Sequence, residues 1–261
     1  MKNGSSSRWK HDFRNNTVIK NPLQKNLYRT AGYYVTSNTL VVAGPDIERH
    51  VMDSRTFVSR TKSSKVTVVE LKKDIYLEQV AELEALDTGR GKNWTSWRRL
   101  GGKWEDGDQF PITHNLKIIH SDIADAVPER FIDADLMGSI KTTGKTLVKV
   151  ISKQFKKFGY QHKNKAFLFT TSIRNVGEYE TLKWIEQVLM PVIGQKCQIH
   201  DTKLRLTNNS KTRRNINGFN GITLQKYTNI SYNKNGRLKK FKLFYYNDGG
   251  TPMVTGIIVY Q

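Results

Sequence analysis

From residue 39 to residue 194, short runs of β-branched and aromatic residues alternate with helix-periodic stretches, and this alternation narrows the fold more than any other feature. The runs are Thr39 to Ala43 (TLVVA), Lys65 to Glu70 (KVTVVE), Leu116 to His120 (LKIIH), Arg130 to Ala134 (RFIDA) and Ala166 to Thr171 (AFLFTT). Between the first two, Asp46 is placed to cap a helix whose Ile47, Val51 and Val58 share a face. Ile75, Gln79, Val80 and Leu83 keep a helical period after the second run. Leu147, Val148, Ile151, Phe155 and Phe158 do so after the fourth, ended by Gly159. Leu182, Ile185, Leu189 and Val192 do so after the fifth, ended by Pro191 and Gly194.

Strands separated by helices predict a parallel sheet covered on both faces. The tail changes character, because LQKYTNISYN, LKKFKLFYYN and PMVTGIIVYQ are strand-like and joined by turn residues with no helix between. The expected fold is therefore α/β, a three-layer Rossmann-like sheet, mostly parallel and closed by an antiparallel C-terminal hairpin. At 261 residues one large domain is expected. It spans 39–261, preceded by a basic N-terminal arm over 1–38, interrupted by a loop insertion at 87–115 and ending in a basic strand region. The insertion holds five glycines and three tryptophans, Trp94, Trp97 and Trp104, without a period. Its tryptophans can stack on an extruded base or pin the loop to its own domain, and Arg98 and Arg99 stand beside Trp97.

Charge says what the chain meets. The formal charge is +20, yet residues 1–40, 141–165 and 203–242 carry +25 between them, which leaves the remainder at −5. A neutral to acidic core with basic flanks suits a polyanionic partner, DNA or RNA, the choice staying open. Lys141, Lys145, Arg213, Arg214, Arg237, Lys239 and Lys240 are the candidate phosphate contacts. The single cysteine, Cys197, excludes a disulfide framework within the chain, and the six histidines show no metal-ligand spacing. The segment MKNGSSSRWKHDFRNN has no apolar run, and no window reaches the ~20 apolar residues of a membrane span. An intracellular, cytoplasmic protein is expected.

In an open α/β sheet the ligand binds beyond the carboxyl ends of the strands. There the chain offers Ala43-Gly44-Pro45-Asp46, Glu70-Leu71, Ser121-Asp122-Ile123 and Asp133-Ala134-Asp135. Gly44 leaves room for a ligand against the backbone, and Glu70 is placed to accept from both hydroxyls of a ribose. Acids at successive strand ends suit a nucleoside with little negative charge.

With AGPDIERHV, KVTVVELKKD, IIHSDIADA, RFIDADLMGSIKT and AFLFTTSIRNVG, the chain resembles the class I S-adenosylmethionine-dependent methyltransferases over roughly residues 39–194, in particular divergent phage and viral members. The resemblance implies that Ala43, Gly44, Pro45 and Asp46 lie against the methionine part of S-adenosylmethionine. It places the ribose on Glu70 beside Leu71, the adenine between Asp122 and Ile123, and the substrate, a nucleic acid, before Asp133 and Asp135. The family's glycine-rich first loop is here one glycine followed by proline, and Asp133-Ala134-Asp135-Leu136 is not the Asn/Asp-Pro-Pro-aromatic motif of amino-methylating enzymes. No Pro-Cys pair supports cytosine C5 chemistry. A noncatalytic nucleic-acid-binding protein on the same fold is one alternative.

A metal-dependent nuclease is another, since Pro45-Asp46 and Glu70-Leu71-Lys72 fit a PD...ExK pattern. It requires the two acids on adjacent antiparallel strands. Gly138 to Thr146 (GSIKTTGKT) lies between a strand and a helix like a P-loop, but five residues rather than four separate its first glycine from the Gly-Lys pair.

Overall fold

The computed structural model describes residues 17–35, 38–42, 65–87, 116–200, 202–206, 224–234, 236–248 and 250–261. Ala43 to Asp46, the expected helix after them, the tryptophans of the 87–115 insertion, Arg213 and Arg214 lie outside these described residues.

The chain runs α1 (Thr17–Tyr34), β1 (Thr39–Val41), β2 (Val66–Glu70), α2 (Lys73–Asp87), β3 (Leu116–His120), β4 (Phe131–Ser139), α3 (Ile140–Phe158) and β5 (Lys165–Ser172). Then come α4 (Glu178–Trp184), β6 (Cys197–Ile199), β7 (Lys203–Leu206), β8 (Leu224–Tyr227), β9 (Ile230–Tyr232), β10 (Leu238–Asp248) and β11 (Thr251–Tyr260). Among the described residues nine strands form one sheet in the order β3-β2-β1-β4-β5-β11-β10-β8-β7, and β6 pairs with β9 apart from it. The first five of these are mutually parallel. β11 enters antiparallel against β5 and pairs antiparallel with β10. The mostly parallel sheet with a closing antiparallel hairpin is thus the observed fold, and β8 and β7 extend it at the far edge.

The strand sequences explain their places. All eight residues of β5 are buried, as a central parallel strand covered on both faces must be. Alternation along β4 sends Ile132 and Ala134 into one core, with Leu147, Ile151, Leu182 and Ile185 of α3, α4 and the turn after α4. Phe131 points the other way, into a second core with Leu23, Leu27, Tyr28 and Ala31 of α1. Each fully buried Leu or Phe contributes roughly 1.5–3 kcal/mol. Helix α3 shows why the middle basic segment is helical: Leu147, Val150, Ile151, Gln154 and Phe158 form the buried stripe, while Lys145, Lys149 and Lys156 face solvent.

The expectation of a basic arm over 1–38 is corrected for its second half. Residues 17–34 form α1, which lies against β5, β10 and β11 and closes the second core. Pro22 inside this helix, together with its Asn and Thr residues, disguises the apolar spacing of Leu23, Leu27 and Ala31.

Candidate functional site

Register places the site. Val41, the last residue of β1, pairs with Val68 on one side and Asp133 on the other. Glu70 and Asp135 lie two residues further along β2 and β4, so both sit on the α1 side of the sheet and flank the point where the chain leaves β1. Two interstrand spacings separate their backbones, about 10 Å.

Glu70 is 7% exposed. Its Oε1 accepts from the backbone N–H of Lys72 at 2.9 Å. Burial pushes its carboxyl above the ordinary value, against the backbone amides of Lys72 and Leu71 and the Lys72 ammonium, which lower it. The turn holding it is itself held, because Ser121 N–H donates to the Glu70 carbonyl at 3.0 Å and His120 Nε2 lies 3.0 Å from the Leu71 carbonyl. Leu71 is 63% exposed, a large apolar side chain next to the acid. Asp122 turns inward on its own loop, with Oδ1 accepting from Ala124 N–H at 2.8 Å, and Ile123 is buried among core residues.

Asp133 does not face an opening. It is fully buried, and its Oδ2 accepts from the Tyr28 hydroxyl at 2.6 Å. The Tyr28 ring meets Phe131 edge-on at 5.1 Å. Asp135, 8% exposed, pairs with Thr170 of β5. From there polar groups continue across the buried sheet: Thr170 Oγ1 lies 3.0 Å from Thr255 Oγ1, which lies 2.9 Å from the Tyr246 hydroxyl. The sequence reading passed over Tyr28, Thr170, Thr255 and Tyr246. Polar residues inside the apolar runs AFLFTT and PMVTGIIV were the available signal for the threonines.

The candidate phosphate contacts separate into two groups. Lys141 and Lys145 are exposed on the first turns of α3, beyond the carboxyl end of β4. Arg237, Lys239 and Lys240 belong to the opposite end, since Leu238 pairs with Tyr260 and Tyr260 with Lys165 at the start of β5. There the Arg237 guanidinium lies over the Phe155 ring at 5.0 Å and donates to the Gly159 carbonyl at 3.2 Å.

Two other patterns find no support in the fold. β4 passes straight into α3 at Ile140, so no phosphate-cradling loop forms around Gly138. That junction is tight: a Cβ on Gly138 would lie 2.6 Å from side-chain atoms of Thr142 and Thr143. The nuclease pattern fails because β2, which carries Glu70, is flanked by parallel strands on both sides. Among the described residues no group of three or more His, Cys, Asp or Glu could hold a metal ion. Burial and Glu186 push the Cys197 thiol up to about 12, which leaves it unreactive. No helix among the described residues is long and apolar enough to cross a membrane.

No protein-family model matches the chain, and no curated protein matches it. Solved structures do. The plantazolicin methyltransferase BamL, in complex with a triazolic desmethylPZN analog and SAH, is 10% identical over 98% of this chain and 91% of its own, at a TM-score of 0.46. TYW2 of P. horikoshii, in complex with MeSAdo, is 9% identical over 94% of this chain and 63% of its own, at 0.43. TrmN from Thermus thermophilus is 9% identical over 91% of this chain at 0.41, and this chain spans about half, 48%, of its length. The fold assignment itself rests on the strand order and register of this chain.

Proposed function

We propose that the chain is an S-adenosylmethionine-dependent methyltransferase acting on nucleic acid, of the divergent phage and viral kind its sequence resembles. The observation that carries the reading is the pair Glu70 and Asp135, framing the exit of β1 on one face of a 3-2-1-4-5 parallel sheet closed by a reversed strand. A buried carboxylate at the end of β2 is the acceptor a ribose needs, and exposed Leu71 beside it offers an apolar face to a base. Ala43 to Asp46 would complete the cradle.

When bound, the cofactor supplies a sulfonium methyl group that leaves readily, so little side-chain chemistry is required. The chain's own task is alignment. Asp135 stands on the substrate side to accept a hydrogen bond from the methyl acceptor, with Thr170, Thr255 and Tyr246 behind it. Asp133 acts one step removed, joining α1 to β4 through Tyr28. Basic flanks outside an acidic centre support a phosphate-bearing substrate.

Titration of the protein with S-adenosylmethionine in a calorimeter tests the reading, and the absence of heat at millimolar ligand would defeat it. The sequence at Gly44-Pro45, with one glycine followed by proline, favours a second reading, a nucleic-acid-binding protein that keeps the fold without the cofactor. That reading predicts salt-sensitive oligonucleotide binding with no cofactor heat.

A further inference from the structure

Resting on the nucleic-acid reading above, we propose that the start of α3 and the β5–α4 loop form a docking rim for a single strand of nucleic acid, with Tyr179 as a base-stacking platform. Tyr179 is 72% exposed on the first turn of α4, just beyond the carboxyl end of β5 that carries Thr170. Lys183, one turn on, holds its ammonium 5.9 Å from the ring centroid.

The surroundings make one continuous surface. Lys141 Nζ lies 3.4 Å from the Asn175 carbonyl, which ties the first turn of α3 to the loop. Lys145 follows four residues later on the same helix face. A Cβ on Gly144 would lie 3.3 Å from the Trp184 indole, so α3 and α4 are in direct contact. The loop backbone is turned by Asn175 at φ 66° and Gly177 at φ 89°, and Arg174 beside them is exposed. One cation, Lys183, therefore lies over the exposed ring, and Lys141, Lys145 and Arg174 are exposed on the adjoining turn of α3 and the β5–α4 loop.

The local acids do not cancel them. The Glu178 carboxylate is taken by Lys203 and the Tyr227 hydroxyl, which leaves Glu180 as the exposed acid of α4. Cations can follow a phosphate backbone, and a free ring face can take one base. A duplex keeps its bases stacked on one another, whereas a single strand, or a strand with one base extruded, presents a π-face. A rim of this composition beyond the carboxyl ends of β4 and β5 thus selects single-stranded over duplex substrate.

The test is fluorescence anisotropy with labelled single-stranded DNA, single-stranded RNA and the matching duplexes, on the full chain. Tyr179→Ala is expected to weaken single-strand binding roughly tenfold or more. Tyr179→Trp should restore it, and Tyr160→Ala, which removes a 92%-exposed tyrosine past the C-terminus of α3, should leave it at the wild-type value. The salt slope should stay unchanged in Tyr179→Ala and fall in Lys141→Gln/Lys145→Gln. Equal single-strand affinity of Tyr179→Ala and wild type would overturn the rim while leaving the function reading intact. A wild type that binds S-adenosylmethionine but neither kind of strand would overturn the nucleic-acid reading and the rim with it.

Discussion

The two ends of the sheet use charge in opposite ways. At the carboxyl end Glu70 closes β2 and Asp135 lies within β4, and the cations Lys141, Lys145 and Arg174 are exposed at the start of α3 and in the β5–α4 loop. At the amino end the cations lie over aromatic rings: Lys157 is 4.9 Å from the Phe158 centroid, Arg237 is 5.0 Å from Phe155, and Lys165 is 5.8 Å from Tyr260. Lys165 is fully buried and donates to the Gln161 carbonyl at 2.8 Å. A positive residue count therefore overstates the surface available to a polyanion. Part of that charge seals the bottom of the core, through the aliphatic stems as much as the charged heads.

The largest effect is expected at the carboxyl end. Glu70→Ala should weaken S-adenosylmethionine about 100-fold by calorimetry, the worth of one or two hydrogen bonds to a charged acceptor. Because burial raises its pKa, the charged form of Glu70 is held in the fold at a cost, so Glu70→Gln should lose affinity while the melting midpoint holds or rises. A melting midpoint that drops with the affinity would make Glu70 structural and erase the difference between the ends.

Next comes the join between helix and sheet. Tyr28→Phe leaves the buried Asp133 without its hydroxyl donor and should cost about 2 kcal/mol in denaturant unfolding. Adding Asp133→Asn should recover part of this, since a neutral amide tolerates burial better than a carboxylate.

Lys165→Met tests the amino end with a definite sign. Burial, then Arg237 and Arg130, lower the Lys165 pKa to about 8, below its ordinary 10.5. Below pH 8 the native state carries a buried ammonium, so the Met variant should be more stable by about 1–2 kcal/mol. Between pH 8 and 10.5 the unfolded chain binds the proton more tightly than the native one, so wild type gains and the difference between the two proteins should shrink. A difference that is flat with pH would show that Lys165 is solvated. The smallest effect belongs to Arg237→Ala, about 0.5–1 kcal/mol of lost cover over Phe155. If it weakened oligonucleotide binding as much as Lys145→Ala does, the two ends would not differ in function.

Much of the architecture was legible locally. β1, β2, β3 and β5 fall on the runs that period and residue type pick out, and α3 ends at Gly159, the residue that stops its apolar spacing. The carboxylate at the end of β2 was legible for the same reason, as an acid closing an apolar run, whereas the fourth strand, expected to end at Ala134, runs on to Ser139 and holds Asp133 and Asp135 inside it. Asp133 and Asp135 nevertheless look alike in sequence and differ in the fold. One is sealed under α1 by a hydroxyl 105 positions away, and the other lies at the edge of the core. The lysines and arginines were likewise equivalent as residues, and only their packing separates Lys141 from Arg237.

Alternating periods determined the layers, the parallel sheet and the reversed final hairpin, because side-chain direction along a strand or helix is a local property. Strand order, the docking of α1, the partner of each buried polar group and the end of the sheet to which each cation belongs were decided only in three dimensions. Those depend on contacts between residues far apart in the chain, and no local pattern of side chains encodes them.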